Sequence, residues 1–74
     1  MARYMIETRR TNDPTQADGY GFWDEVGEWE AEDADTAIDE WLDEQRWHDD
    51  RFARVGDASF RLDDAEYDVM AKEE

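Results

Sequence analysis

Apolar and polar residues alternate in two early segments, as expected of half-buried β-strands. The first segment is Arg3–Arg9. One of its faces carries Tyr4, Ile6 and Thr8, and the other carries Arg3, Met5 and Glu7. The second is Phe22–Ala31, where alternation places Trp23, Gly27, Trp29, Ala31 on one face and Asp24, Val26, Glu28, Glu30 on the other. Gly27 is a candidate for a bulge that brings Val26 and Trp29 together. The intervening Thr11–Gly21 segment contains Asn12-Asp13-Pro14 and is predicted to be a loop.

After the second strand the apolar residues change to a helical period. They recur at helical spacing along Ala34, Ala37, Ile38, Trp41, Leu42 and Gln45. This spacing predicts a helix over Ala34–Gln45 that buries one stripe, with Asp33 as its N-cap. Arg46 and His48 lie near the expected C-terminal end, where the helix dipole favours cations.

The last third of the chain is predicted to contain a strand, a turn and a final element that is either a strand or a helix. Arg51–Val55 is the predicted third strand and Gly56-Asp57 the turn after it. Beyond the turn, Tyr67, Val69 and Ala71 alternate as in a strand. A helix over Leu62, Ala65, Val69 and Met70, with Asp63 and Glu66 as its capping box, is the alternative. We favour the strand.

The predicted element order is therefore ββαββ. Consecutive strands of this kind form an antiparallel sheet, and one amphipathic helix covers one of its faces. The fold class is a small α+β domain that spans residues 1–74.

A run of positions in the second strand and the helix resembles short uncharacterised proteins of actinobacteria and their phages. The positions are Trp23, Val26, Ala31, Ala34, Ala37, Ile38 and Trp41, and the resemblance covers residues 22–42. In those proteins a tryptophan-bearing strand leads through an alanine into one amphipathic helix. The resemblance implies the ββαββ fold more than any activity.

Length and composition limit both the core and the chemistry. A chain of 74 residues buries only roughly 60–65% of its unfolded surface, so its aromatic residues must build an efficient core. There is no cysteine, which excludes disulfides, thiolate catalysis and cysteine-ligated zinc. The chain also lacks a long apolar run and a signal-peptide core. We therefore expect a cytoplasmic protein without membrane contact.

The acidic residues are concentrated in one block. Residues 17–50 hold fourteen carboxylates and a single basic residue, Arg46, so this block carries −13 of the formal net charge of −15. A field of this sign attracts cationic partners and repels nucleic acid and anionic lipid. The expected partner is a basic protein surface, and direct nucleic-acid binding is not expected.

Candidate catalytic and metal-binding residues are few. His48 is the only histidine and Ser59 the only serine, and no motif places a base near the serine. Asp33 and Asp35 begin like a calcium loop, but Ala37-Ile38 stands where an EF-hand needs an oxygen ligand and a glycine. We predict no enzyme activity, no cofactor and no dedicated metal site. Weak divalent binding by clustered carboxylates is left open.

Carboxylates form regular rows on the predicted helix and second strand. The helix rows are Asp35–Asp39–Asp43 and Glu40–Glu44, with Cβ atoms about 5–6 Å apart. Glu28, Glu30 and Glu32 alternate on the strand at about 6.6 Å, twice the rise per residue. The spacing of the carboxylates in these rows approximates the spacing of the phosphates along a nucleic-acid strand. A solvated face in an acidic proteome is the alternative.

Aromatic residues outside the core are the other candidates for recognition. Trp41 and Trp29 are expected in the core. Tyr20, Trp23 and Trp47 lie at element ends, where packing is the simpler expectation and an exposed interface anchor is the alternative.

The sequence thus predicts a non-enzymatic acidic binding protein in which residues 24–44 present one face of carboxylates to a basic, nucleic-acid-binding surface of a partner. The candidate partner-binding residues are Asp24, Glu28, Glu30, Asp35, Asp39, Glu40, Asp43, Glu44, Trp23 and Trp47. In size and charge the chain resembles small phage inhibitors of restriction and CRISPR enzymes, which implies an inhibitor that imitates nucleic acid. The alternative is a structural or accessory subunit that forms a homodimer through aromatic residues and uses its acidity only for solubility.

Overall fold

Five antiparallel strands and one helix form the fold. The computed structural model describes all of residues 1–74, and its elements are β1 (Ala2–Arg10), β2 (Asp24–Ala31), α1 (Ala34–His48), β3 (Phe52–Gly56), β4 (Ser59–Leu62) and β5 (Ala65–Glu73). The strands lie in the order β2-β1-β5-β4-β3. α1 packs on one face of the sheet, and the opposite face is called the open sheet face below. The predicted α+β class, an antiparallel sheet with one helix on one face, is confirmed.

The predicted ββαββ order lacks one strand of the sheet, β4. This strand has four residues, too few for alternation around Phe60 to be recognised. β5 confirms the strand interpretation of the tail. The helical alternative is wrong, because Asp63 lies in the turn before β5 with a φ of 54°. α1 continues to His48, beyond the predicted end at Gln45.

The core lies between α1 and the sheet. Its ten buried apolar residues are Tyr4, Ile6, Ala31, Ala37, Ile38, Trp41, Leu42, Phe52, Phe60 and Val69. The Trp41 ring meets Phe52 and Phe60 at centroid distances of 6.3 and 5.8 Å. Phe60 in turn stacks on Phe52 at 4.4 Å and on Tyr67 at 4.9 Å. This aromatic cluster fixes α1 over the β3–β4–β5 half of the sheet.

A bulge in β2 changes which residues share a face. Ile6 pairs with Gly27 and Glu7 with Glu25, so Val26 has no partner across the strands. The predicted bulge is present, but Val26 is exposed and does not join Trp29 beside the core.

The residues before the bulge consequently face the other way, because one extra residue inverts the alternation of a strand. Trp29 pairs with the buried Tyr4 and faces α1. Trp23 instead lies against Arg9, on the open sheet face. The predicted grouping of Trp23 with Trp29 is therefore wrong.

Asp33 is the N-cap of α1, as predicted. The Oδ1 atom of Asp33 accepts a hydrogen bond of 2.7 Å from the backbone N–H of Thr36. At the other end, the backbone N–H of Asp49 donates to the carbonyl of Gln45. The helix has 15 residues, and no helix of the structure is long and apolar enough to cross a membrane.

Replacing Asp33 with Asn should remove a pH-dependent part of the stability and keep the cap. Hydrogen bonds from Thr36 hold the pKa of Asp33 below its ordinary value. A folded pKa below the unfolded one stabilises the protein above the ordinary carboxyl range, and this stability is lost as pH falls through the folded value. Asn caps a helix without titrating. Thermal melts should therefore show a smaller fall in Tm for Asp33→Asn than for wild type between neutral pH and about pH 2.5. Equal falls would contradict the assignment.

Candidate partner-binding surface

The structure divides the candidate carboxylates between two sides of the molecule. Glu28 pairs with Met5 and Glu30 with Arg3, on the open sheet face. The helix carboxylates project from the side of α1 that faces away from the sheet. Since the sheet and the core lie between the two groups, the expectation of one carboxylate face over residues 24–44 is corrected to two. Asp24 belongs to neither group, because it pairs with Thr8 at the start of β2.

The carboxylates of the open sheet face are compensated by a cation. The Arg3 guanidinium lies 3.2 Å from Glu30 and 3.5 Å from Glu28. The hydrogen bond to Glu30, together with the charge of Glu28, raises the pKa of Arg3. The neighbouring strands add Lys72 and Arg61 on the same face. This face therefore mixes both signs of charge and offers less to a cationic partner.

The outward side of α1 has a different composition, and we call it the acidic helix face. Its exposed carboxylates are Asp35, Asp39, Glu40, Asp43 and Glu44, and the exposed side chains of Arg46 and Trp47 lie among them. Trp47 is 83% exposed. At about 100° per residue, its side chain projects within about 60° of Glu40, Asp43 and Glu44. The face therefore surrounds one exposed indole with carboxylates.

On one side of α1, Arg54 of β3 contacts the acidic helix face. Its Nη1 atom pairs with Asp39 and lies 3.6 Å from Asp43. Its Nε and Nη2 atoms donate to the carbonyls of Gly56 and Asp57 at 3.0 and 3.3 Å. The Arg54 side chain is only 24% exposed. One arginine therefore connects the helix to the β3–β4 turn.

A second contact lies on the opposite side of the helix. The indole N–H of Trp29, in β2, donates to Glu40 at 3.2 Å. Because β2 and β3 are the two edges of the sheet, α1 is held at both edges. These contacts of Asp39, Asp43 and Glu40 fix the orientation of the acidic helix face relative to the sheet.

Replacing Arg54 with Ala should destabilise the fold. The change removes charge-assisted hydrogen bonds and leaves Asp39 and Asp43 close together without a cation. We expect a loss of about 1–2 kcal/mol in the free energy of unfolding. Urea denaturation measures this loss, and Arg61→Ala, on the open sheet face, is the matched control. If both variants unfold at the same denaturant concentration, Arg54 does not hold the helix in place.

The C-terminal end of α1 lies beside Trp47. His48 is exposed, as expected, and its Nε2 atom lies 2.8 Å from Glu44. Asp49 follows the helix and accepts hydrogen bonds from Arg51. These bonds lower the pKa of Asp49. The His48 ring and Arg51 therefore contact Glu44 and Asp49, and Trp47 keeps an exposed ring between them and the rest of the acidic helix face.

The other two aromatic residues at element ends have a packing role. The Arg9 guanidinium lies 4.6 Å from the centroid of the Tyr20 ring and 4.7 Å from that of Trp23. Its Nη2 atom also lies 3.5 Å from Asp68. These cation–π contacts fix the long β1–β2 loop to the open sheet face. Sequence reasoning missed the cluster because no local pattern relates Arg9 to residues so distant in the chain. Of Tyr20, Trp23 and Trp47, only Trp47 lacks such a contact.

The excess of negative charge should make the fold sensitive to salt. The chain has 23 carboxylates against eight basic residues, so repulsion exceeds the attraction of its ion pairs. Screening shortens the range of these interactions from about 10 Å at 0.1 M salt to about 3 Å at 1 M. We expect Tm to rise over this range. A Tm that stays constant or falls would show that the paired carboxylates dominate.

Other chemistry is sparse on the surface. No group of three or more histidine or acidic side chains is arranged to hold a metal ion. A depression lies beside the acidic helix face, between Asp39, Arg54 and Asp57. Its lining is mostly polar and includes the ion pair of Arg54 with Asp39, so it extends the same surface.

Comparison with known proteins finds no family model, no curated protein and no solved structure that matches the chain. The resemblance to actinobacterial and actinophage proteins stays a prediction. A functional conclusion depends on the acidic helix face and its exposed indole.

Proposed function

We propose that this protein is a non-enzymatic binding protein whose acidic helix face docks on a basic, nucleic-acid-binding surface of a partner protein. One observation carries the proposal. A helix held at both edges of the sheet presents two rows of carboxylates around an exposed tryptophan, Trp47. Like-charge neighbours at this spacing destabilise a helix by a few tenths of a kcal/mol each. Arg54 offsets this repulsion only between Asp39 and Asp43, so the remainder of the rows favours a role outside folding.

The dimensions of the face suit a nucleic-acid-binding surface. A helix of 15 residues is about 22 Å long, which corresponds to roughly six phosphates of one strand at about 3.4 Å of axial rise. Lysine and arginine side chains that grip a backbone over this distance can instead pair with the helix carboxylates. The net charge of −15 would accelerate the encounter with such a surface.

Trp47 would supply the anchor of the interface. Charge complementarity sets the rate and orientation of association more than its affinity. Buried tryptophans, by contrast, are frequent among the residues that dominate binding energy. An indole surrounded by carboxylates therefore combines an anchor with the charges that direct it.

In this proposal the protein competes with nucleic acid for its partner. It would act in the cytoplasm as an inhibitor of a DNA-binding or host-defence protein, as phage inhibitors of similar size and charge do. An accessory subunit that dimerises through an aromatic sheet face is the weaker proposal. The aromatic residues within the strands, such as Phe60, lie beneath α1. On the open sheet face, Tyr20 and Trp23 are engaged by Arg9 and the strand residues are mostly charged.

Affinity capture tests the proposal. The immobilised protein is incubated with lysate of its source cell at low salt, then washed with DNA or RNA in one arm and with high salt in the other. We expect a basic protein that both washes release. A partner that neither nucleic acid nor salt releases would contradict the proposal. A variant with Asp43→Asn and Glu44→Gln should retain less partner than one with Glu28→Gln and Glu30→Gln, which loses the same charge from the open sheet face.

A further inference from the structure

We infer, resting on the proposed function, that the partner surface combines basic side chains with an exposed aromatic platform, and that Trp47 takes the place of a nucleobase on it. This describes a surface that binds single-stranded nucleic acid. The charge of the acidic helix face alone does not distinguish a partner that binds single strands from one that binds a duplex.

The exposure of Trp47 is the first observation. Trp41, two turns earlier on the same helix, is 7% exposed, whereas Trp47 is 83% exposed. Trp47 makes none of the ring contacts that Trp41 makes with Phe52 and Phe60. Its ring is therefore not needed by the core, and a chain that buries so few residues leaves its largest side chain in water.

The surroundings of Trp47 are the second observation. Its neighbours on the outward side of α1 are Glu40, Asp43 and Glu44, one or two turns away. Trp29, Arg54 and His48 each contact only one oxygen of these carboxylates. A purely apolar groove could not accept the indole without taking the other oxygens out of water, which is strongly unfavourable. The complementary surface must therefore offer a flat apolar contact and several cations within about 5–6 Å of one another.

Surfaces that bind single strands have this composition. They follow the backbone with a positively charged groove and stack successive bases on aromatic side chains. Surfaces that bind a duplex contact phosphates and reach base edges in the grooves, where the bases stay stacked on one another. Only the first kind exposes a ring on which the Trp47 indole can stack while Asp43 and Glu44 pair with the groove cations.

Short model peptides can test this inference on the whole protein. Three end-capped peptides of equal charge alternate Lys with Trp, Leu or Ala, and calorimetry measures their affinity. We expect the Lys-Trp peptide to bind roughly tenfold more tightly than the other two, the size of one stacked aromatic contact. Trp47→Ala should abolish this preference. Phe22→Ala should keep it, because Phe22 is equally exposed, at 82%, and lies outside the acidic helix face.

The possible results separate the two proposals. If all three peptides bind equally and salt weakens them equally, the face engages cations alone, and the base-like role of Trp47 is overturned while the proposed function stands. A Lys-Trp preference that survives Trp47→Ala overturns the inference as well. If neutralising Asp35, Asp39, Glu40, Asp43 and Glu44 leaves peptide binding unchanged, the acidic helix face is not the binding surface and the proposed function fails.

Discussion

Trp41→Ala should lower the free energy of unfolding by about 3–5 kcal/mol and leave much of the protein unfolded at room temperature. Trp41 is the helix residue that meets both Phe52 and Phe60. Its removal leaves a cavity between α1 and the sheet, and a domain of 74 residues has little stability to spare.

Trp47→Ala is the matched control on the same helix. Because Trp47 is exposed and makes no ring contact in the core, its removal should change the unfolding free energy by less than about 0.5 kcal/mol. Circular dichroism during urea denaturation measures both variants. Equal midpoints for wild type and Trp41→Ala would show that the aromatic cluster does not hold the helix.

Neutralising the acidic helix face should slow association with the partner by roughly ten-fold or more, because electrostatic steering is lost. The variant changes Asp35, Asp39 and Asp43 to Asn and Glu40 and Glu44 to Gln. Asn and Gln keep an acceptor oxygen for Arg54 and for the indole N–H of Trp29, so the fold should persist.

A second variant controls for net charge. It changes five carboxylates of the open sheet face to Gln, at Glu25, Glu28, Glu30, Glu66 and Glu74, and removes the same amount of charge. Stopped-flow association with the captured partner should be slowed far less by this variant than by the helix variant. Equal slowing would show that total charge, and not the acidic helix face, directs binding.

The helix was predictable because its signals are local. The period of Ala37, Ile38, Trp41 and Leu42 identifies the buried stripe, and Asp33 has the chemistry of a cap. The structure confirms both. The same period also places Trp47 on the outward side of α1. Its exposure could therefore have been predicted if the helix had been continued from Gln45 to His48.

The sheet was harder to predict for two physical reasons. β4 is too short for its alternation to be distinguished, and it depends on pairing with β3 and β5. The bulge at Val26 inverts the side of every residue before it, which moved Trp23 to the open sheet face. Side chains alternate between the two faces of a strand, so one inserted residue moves all residues before it to the opposite face, and the sequence pattern does not show this shift.

The division of the carboxylates could not be predicted from charge alone. Sequence spacing gives the rows on α1 and β2, but only the layer arrangement shows that they point in opposite directions. Arg54 and Trp29 reach the helix from the two sheet edges through contacts 15 and 11 residues apart in the chain. Such contacts depend on the strand order, which no local pattern specifies.

Competition with nucleic acid tests the proposed function most directly. The captured partner is loaded with a labelled oligonucleotide, and displacement is followed by fluorescence anisotropy as wild type, the helix variant or the open-sheet-face variant is added at two salt concentrations. We expect wild type and the open-sheet-face variant to displace the oligonucleotide at low salt, and both to weaken steeply at high salt. The helix variant should displace far less than either at the same concentration. Displacement by the helix variant equal to that of wild type, or simultaneous binding of protein and oligonucleotide, would contradict the proposal.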